Sequence, residues 1–306
     1  MKQLRRLEVP TPQDPYLKAQ RGVLRSMTLS EADFRTLEKE RPDLIVVDAD
    51  AVLIGLPHGP NMELHYAFPD RDAFVRRFPD MFQRLVAAVN QEQTPLGFRF
   101  RLTDRTSRPY LEPVLSAHAF EVIREWMVMA LVELPECEPP TDAVAPGYTL
   151  RPARPDDAEA IAALDAAAFP TPVLSPEVVR DLASQAPALR VLEEVASSRA
   201  VGFLRLRHDA PGVGYISDVA IHPDWQRRGL GEATTRWALA RFRQEGLRRA
   251  ALTVSVDNRP AVALYRKLGF TPQEMGLDYR RPIDEEEVRQ VLEKHGATHI
   301  RVRKRY

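Results

Sequence analysis

The chain has 306 residues, 44% hydrophobic and 28% charged, which suits a soluble globular protein of two ordinary domains. Lysine plus arginine and aspartate plus glutamate balance at 43 each, so bulk charge gives no reason to expect nucleic acid or an anionic membrane as partner. One cysteine, Cys137, excludes an internal disulfide and a thiolate metal cluster, and no apolar run approaches the roughly 20 residues of a membrane helix.

The basic start, MKQLRRLEVPTPQDP, has no apolar stretch behind it and does not read as a secretory signal, so a reducing cytoplasm is the expected compartment. In the first half, ELHYAF reads as a strand. A helix is predicted around RRFPDMFQRLVAAVN, with Phe78, Phe82, Leu85 and Val89 on one face. GFRFRLT alternates as a strand, SRPYLEPVLSAHAF follows as a helix, and VIREWMVMALVE is an apolar strand. Leu134 to Gly147, LPECEPPTDAVAPG, is rich in proline and acid and lacks either periodicity. It reads as a linker over 135–147 between domains at 1–134 and 148–306; the alternative is a long surface loop within one domain.

Beyond it, YTLRPARP predicts a strand, DDAEAIAALDAAAF a helix opened by capping aspartates, and SPEVVRDLASQAP a second helix capped by Ser175. Three strand candidates follow, LRVLEEVAS, AVGFLRLRH and GYISDVAIHP, with short breaks that suit antiparallel neighbours. Two glycines, Gly229 and Gly231, then open a helix with Leu230, Ala233, Trp237 and Ala240 along one face. The strand RAALTVSV and the short helix RPAVALYRKLG, ended by Gly269, lead to an extended run from Phe270. The order β-α-α-β-β-β-α-β-α-β predicts a mixed α/β fold with helices on the faces of its sheet. The tail IDEEEVRQVLEKHGATHIRVRKRY reads as a helix and a basic strand-like end, either a last strand or an exposed tail for an anionic partner.

The join HPDWQRRGLGEA raises the question of a bound phosphate. A P-loop needs a spacing and a lysine that are absent, and a dinucleotide fingerprint would need glycine where Thr234 stands. A tight strand-to-helix turn with solvated arginines accounts for the segment equally well by itself.

Together with a second segment, however, VAIHPDWQRRGLGEA resembles the GCN5-related N-acetyltransferase (GNAT) family. Gln226-Arg227-Arg228-Gly229-Leu230-Gly231 matches that family's [QR]-x-x-G-x-[GA] signature. VDNRPAVALYRKLGF matches its other signature through Asn258, Ala261, Leu264, Tyr265, Gly269 and Phe270. The resemblance covers about residues 148–283 and implies a mixed, largely antiparallel sheet with flanking helices. It also implies acetyl transfer from acetyl-CoA (coenzyme A) to an amine, with no metal. Carried over residue by residue, it implies that backbone at Val219, Ala220 and Ile221 pairs with the pantetheine arm. Gln226, Arg227, Arg228, Gly229, Leu230, Gly231, Glu232 and Ala233 would hold the pyrophosphate, and Asn258 and Ala261 would flank the arm. Glycine lets backbone N–H groups approach an anion there, and a helix N-terminus favours its charge. Tyr265 would give a proton to the departing sulfur, and Asp218 would take one from the amine. Each has a plainer role beside it: Tyr265 as a core aromatic, Asp218 as a salt-bridged strand-end acid. His222, on the face of Asp218, belongs more naturally to the turn before Pro223, and Glu193 and Glu194 lie on an earlier strand.

The first half carries no such signature, yet SRPYLEPVLSAHAF echoes NRPAVALYRKLGF. Ser107 stands where Asn258 does, and Val114 or Leu115 where Tyr265 does. A tandem copy that has lost acyl-CoA binding is the expectation; the alternative is an unrelated α/β domain. The acceptor, a small-molecule or peptide amine, is not legible, and a non-catalytic acyl-CoA sensor or assembly module is the competing function.

Overall fold

The structure is a computed structural model that describes residues 14–26, 29–58, 61–89, 97–169, 174–184 and 189–282. The helix and basic end expected over 283–306 lie outside these residues. In chain order the first elements are α1 (Pro15–Arg21), β1 (Leu24–Arg25), α2 (Glu31–Glu40), β2 (Ile45–Asp48), β3 (Ala51–His58) and β4 (Asn61–Phe68). Then come α3 (Arg71–Val89), β5 (Gly97–Leu102), α4 (Arg108–Ala117), β6 (Glu121–Leu131), β7 (Ala143–Ala145) and β8 (Tyr148–Pro152). They are followed by α5 (Ala158–Ala168), α6 (Pro176–Ser184), β9 (Leu189–Glu194), β10 (Arg199–Ala210) and β11 (Val213–Ile221). The last are α7 (Leu230–Gln244), β12 (Arg249–Ser255), α8 (Arg259–Lys267) and β13 (Thr271–Pro282). From β8 onward this is the order the sequence predicts.

The chain forms two compact units, residues 1–126 with 275–306, and residues 127–274. In the first unit the sheet runs β2-β3-β4-β5-β13. Helix α3 lies on it through the apolar spacing of Phe74, Phe78, Phe82, Leu85 and Val89, all buried. It starts earlier than the predicted RRFPDMFQRLVAAVN because Asp70 caps it, accepting from the Ala73 N–H at 2.7 Å. The rings of Phe74 and Phe78 stack at 4.6 Å and those of Phe78 and Phe82 at 5.4 Å. Strand β13 runs antiparallel to β5, from Leu277 opposite Leu102 to Pro282 opposite Gly97, and buries Leu277 and Tyr279 in the same core. Asp278 fixes that register by accepting from Arg101 at 2.8 Å, Arg124 at 2.9 Å and the Trp126 indole at 3.0 Å. Burial alone would raise the Asp278 carboxyl; the two arginines outweigh it and hold it below the usual carboxylate range.

In the second unit the sheet runs β12-β11-β10-β9-β8-β7, with the end of β6 beside β12. From β11 through β10, β9 and β8 to β7 the neighbours pair antiparallel, while β11 pairs with β12 in parallel. One face carries α5 and α6 over Val191, Phe203 and Ala220. Against the other lies α7, whose Leu230, Trp237 and Ala240 are buried as its spacing predicts, while Ala233 is half-buried. Gly214 permits this approach: a Cβ there would sit 2.4 Å from the Phe242 ring.

Two expectations are corrected. The stretch 135–147 is not a free linker, because β7 pairs with β8, Leu134 N–H donates to Arg248 C=O and the Trp237 indole donates to Thr141 C=O. Backbone bonds, which leave no side-chain periodicity, hold it to the sheet. The units also divide inside β6 and β13 rather than at 135–147. The order β2-β3-β4-α3-β5-α4 recurs as β9-β10-β11-α7-β12-α8, and β13, which follows α8, pairs with β5 of the first unit. The exchange of final strands moves each boundary into a strand.

Candidate active site

The site is built where β11 and β12 part. Their parallel register covers Val213–Ile216 against Arg249–Leu252 and stops there, although β11 continues to Ile221 and β12 to Ser255. A one-residue bulge in β11 falls at the same level: Ile216 faces Leu206 and Asp218 faces Arg205, leaving Ser217 extra. Past the bulge, His222 N–H donates to Val201 C=O, so by strand alternation the backbone of Ala220 also faces β10. The backbone of Val219 and Ile221 therefore points into the parting. The Ile221 carbonyl already accepts from the Gln226 side chain at 3.0 Å. Gln226 thus braces the turn against the strand that precedes it.

At the mouth of the parting stands the N-terminus of α7. Gly229 is its N-cap in the left-handed region, φ 79°, and no side chain caps the helix. Ala233 N–H makes the first helical bond, to Gly229 C=O at 3.0 Å, so the N–H groups of Leu230, Gly231 and Glu232 precede the helical ladder. By contrast α8 is capped by Asn258, whose Oδ1 accepts from Ala261 N–H at 3.2 Å. Arg227 is exposed in a left-handed conformation, φ 61°, with no ion-pair or hydrogen-bond partner among the described residues. Arg228 donates to Asp224 C=O at 2.9 Å and lies 5.8 Å from the Trp225 ring centroid. The Glu232 carboxylate is held low by Lys267, at 2.6 Å, and by Arg236, which leaves the first turn of α7 without net negative charge.

Tyr265 and Asp218 complete the arrangement. Tyr265 is 9% exposed on α8, its ring 5.8 Å from that of Phe270. Burial, with the nearby Asp218 charge, pushes its hydroxyl up to about 12. Asp218 shares the face of Ala220 and accepts from Arg205 Nε at 2.5 Å. Burial raises its carboxyl and the Asp165 charge adds to that, while Arg205 opposes both. Arg205, Asp165 and Lys267 were not legible at this place, because their sequence separation hides the pairing. The remaining candidates are engaged elsewhere. His222 Nδ1 accepts from Asp224 N–H at 3.2 Å within the turn, Glu193 pairs with Arg151 at 2.7 Å, and Glu194 accepts from Ser197 and Trp225.

A sheet opened between two parallel strands, beside an uncapped helix N-terminus, offers free backbone groups of the kind that an extended anionic ligand would need. The acetyltransferase (GNAT) family model matches residues 158–270. The chain is 33% identical over 175 residues to a mycothiol acetyltransferase of Pseudarthrobacter chlorophenolicus, covering 53% of this chain and 54% of that protein. It is 32% identical over 200 residues to one of Saccharomonospora viridis, covering 59% and 64%. The chain thus spans only a little over half the length of these relatives. The fold is also that of a GCN5-related N-acetyltransferase from Sphaerobacter thermophilus, with TM-score 0.61 at 20% identity over 82% of this chain and 85% of that one. A tandem GNAT protein from the clavulanic acid biosynthesis pathway shares it at TM-score 0.52 and 17% identity, over 87% and 92%. No helix among the described residues is long and apolar enough to cross a membrane.

Proposed function

We propose that the second unit is an acyl-CoA-dependent N-acyltransferase that moves acetyl from acetyl-CoA to an amine. The observation that carries this reading is the parting of β11 from β12 in front of an uncapped, glycine-opened helix. Three N–H groups stand there, with Arg227 two residues ahead of the N-cap, none of them partnered among the described residues, which fits a pyrophosphate. The backbone of Val219 and Ile221 would pair with the amides of the pantetheine arm, as an added strand does. When bound, acyl-CoA supplies the activated acyl group as a thioester. The chain's part is to hold the carbonyl against the Val219 N–H, to donate the Tyr265 proton to the sulfur and to accept the amine proton at Asp218. Tyr265 suits its part because a hydroxyl raised to about 12 stays protonated at neutral pH.

A second reading, a non-catalytic acyl-CoA sensor, is favoured by one observation: the Arg205 ion pair already holds the Asp218 carboxylate. Turnover separates the two. Because two relatives carry the name mycothiol acetyltransferase, a mycothiol-related amine heads the acceptor panel, followed by peptide amines. Release of free CoA thiol from acetyl-CoA, dependent on one of these amines, is the expected result. Tight CoA binding with no transfer to any amine would discard catalysis and leave the sensor.

A further inference from the structure

We propose that the first unit fills its own acyl-CoA slot with β1, so that the chain takes one acyl-CoA and takes it in the second unit; this rests on the acyl-CoA reading above. Strands β4 and β5 part as β11 and β12 do: their parallel register covers Met62–Leu64 against Phe98–Phe100 and stops. Strand β3 occupies the other edge of β4 as far as Ala67, so whatever pairs with β4 beyond Leu64 on its free side lies in the parting. That partner is β1, with Leu24 opposite Phe68 and Arg25 opposite Ala67. Ser26 N–H donates to Tyr66 C=O at 2.9 Å, and Tyr66 N–H donates to Ser26 Oγ at 3.2 Å. From the β5 side Thr103 Oγ1 donates to Arg25 C=O at 3.3 Å. Two residues past the last β5 pair, Tyr66 holds the place that the bulge gives to Val219, and both its backbone groups are taken.

The anion end is closed as well. Where α7 begins with glycine and no cap, α3 begins with the Asp70 carboxylate on the Ala73 N–H. Arg71 turns across the mouth to donate to Ser107 at 2.8 Å, Thr106 at 2.6 Å and Asp104 at 3.2 Å, and lies 5.0 Å from the Tyr110 ring centroid. What remains is an open cavity of about 380 Å³ lined by three carboxylates, Asp70, Asp72 and Asp104, against the single cation of Arg71, a balance that disfavours a pyrophosphate. The general-acid position is empty of chemistry. Phe120 N–H donates to Leu115 C=O at 3.0 Å just as Phe270 N–H donates to Tyr265 C=O, so Leu115, fully buried, stands in place of Tyr265.

The test joins CoA titration with amide hydrogen exchange on the full chain. The expected result is one CoA per chain, with slow exchange at the Ser26 amide that saturating CoA leaves unchanged. Gly229→Val should abolish all CoA binding, with the Ser26 protection intact as its own control of folding. Two CoA per chain, residual binding in a folded Gly229→Val, or Ser26 exchange accelerated by CoA would overturn the proposal. If no CoA binds at all, the acyl-CoA reading of the second unit falls. Exchange then decides on its own, slow exchange at Ser26 upholding the filled slot and fast exchange sinking it.

Discussion

In the proposed transfer Tyr265 and Asp218 have opposite duties, and burial serves one better than the other. A tyrosine hydroxyl raised to about 12 keeps its proton at working pH, which a donor requires. A carboxylate raised by burial becomes a stronger base but loses its charge earlier as pH falls. Replacing Tyr265 by Phe keeps the ring packed against Phe270 and removes only the proton. We expect kcat to fall by about 10²-fold or more while CoA affinity holds, general acid–base groups being worth about 10²–10⁴. On the acid side, kcat should decline as pH drops through a value above the ordinary carboxylate range, because protonated Asp218 accepts nothing. That limb should vanish in Asp218→Asn along with most of the activity; a wild-type limb that persists unchanged in the variant would remove Asp218 from the base role. Both candidates came from the resemblance, Tyr265 through its place in a thirteen-residue pattern and Asp218 through the position where the family carries an acid. Arg205, which competes for Asp218, was not legible, because a cross-strand partner is fixed by register and a bulge that no spacing announces.

At the scale of elements, the two glycines that open α7 serve different ends. Gly229 is left-handed, φ 79°, and a side chain there costs about 1–2 kcal/mol. Gly231 has no such constraint, and a Cβ on it would meet Leu264 at 3.6 Å, an ordinary contact. Gly231→Ala should therefore leave Tm unchanged or slightly raised, since alanine is the better helix former, yet weaken CoA binding by placing a methyl where backbone must approach a phosphate. Gly229→Ala should lower both. Equal CoA affinity in Gly231→Ala and wild type, measured by titration, would mean that α7 does not hold the pyrophosphate. The helix and its glycines stood out in the sequence because one stretch carries both turn and periodicity. Strand β1 did not: two residues, Leu24 and Arg25, are too few to alternate, and their pairing with β4 depends on where β5 turns away. Strand β7 hid for the same reason.

For the whole molecule the exchange of β13 decides what can fold alone. Ending a fragment at residue 134 removes Leu277 and Tyr279 from the first unit's core, where each large side chain is worth about 1.5–3 kcal/mol. It also takes Asp278 from Arg101, Arg124 and Trp126. The packing loss alone approaches the roughly 5–15 kcal/mol that separates most domains from their unfolded state. The fragment 148–306 lacks Met127–Leu131, the strand beside β12, and frees a β13 that carries buried side chains into water. VIREWMVMALVE reads as an apolar strand whichever sheet it joins, so the sequence pattern located the strand and not its partner. We expect each half expressed alone to lack the near-ultraviolet circular dichroism and single cooperative melt of the full chain. The two halves produced together should recover both and elute as a one-to-one pair. A fragment 148–306 that is monomeric, melts cooperatively and binds CoA as tightly as the full chain would show that each half folds on its own strands, and the exchange would then contribute nothing to the stability of either.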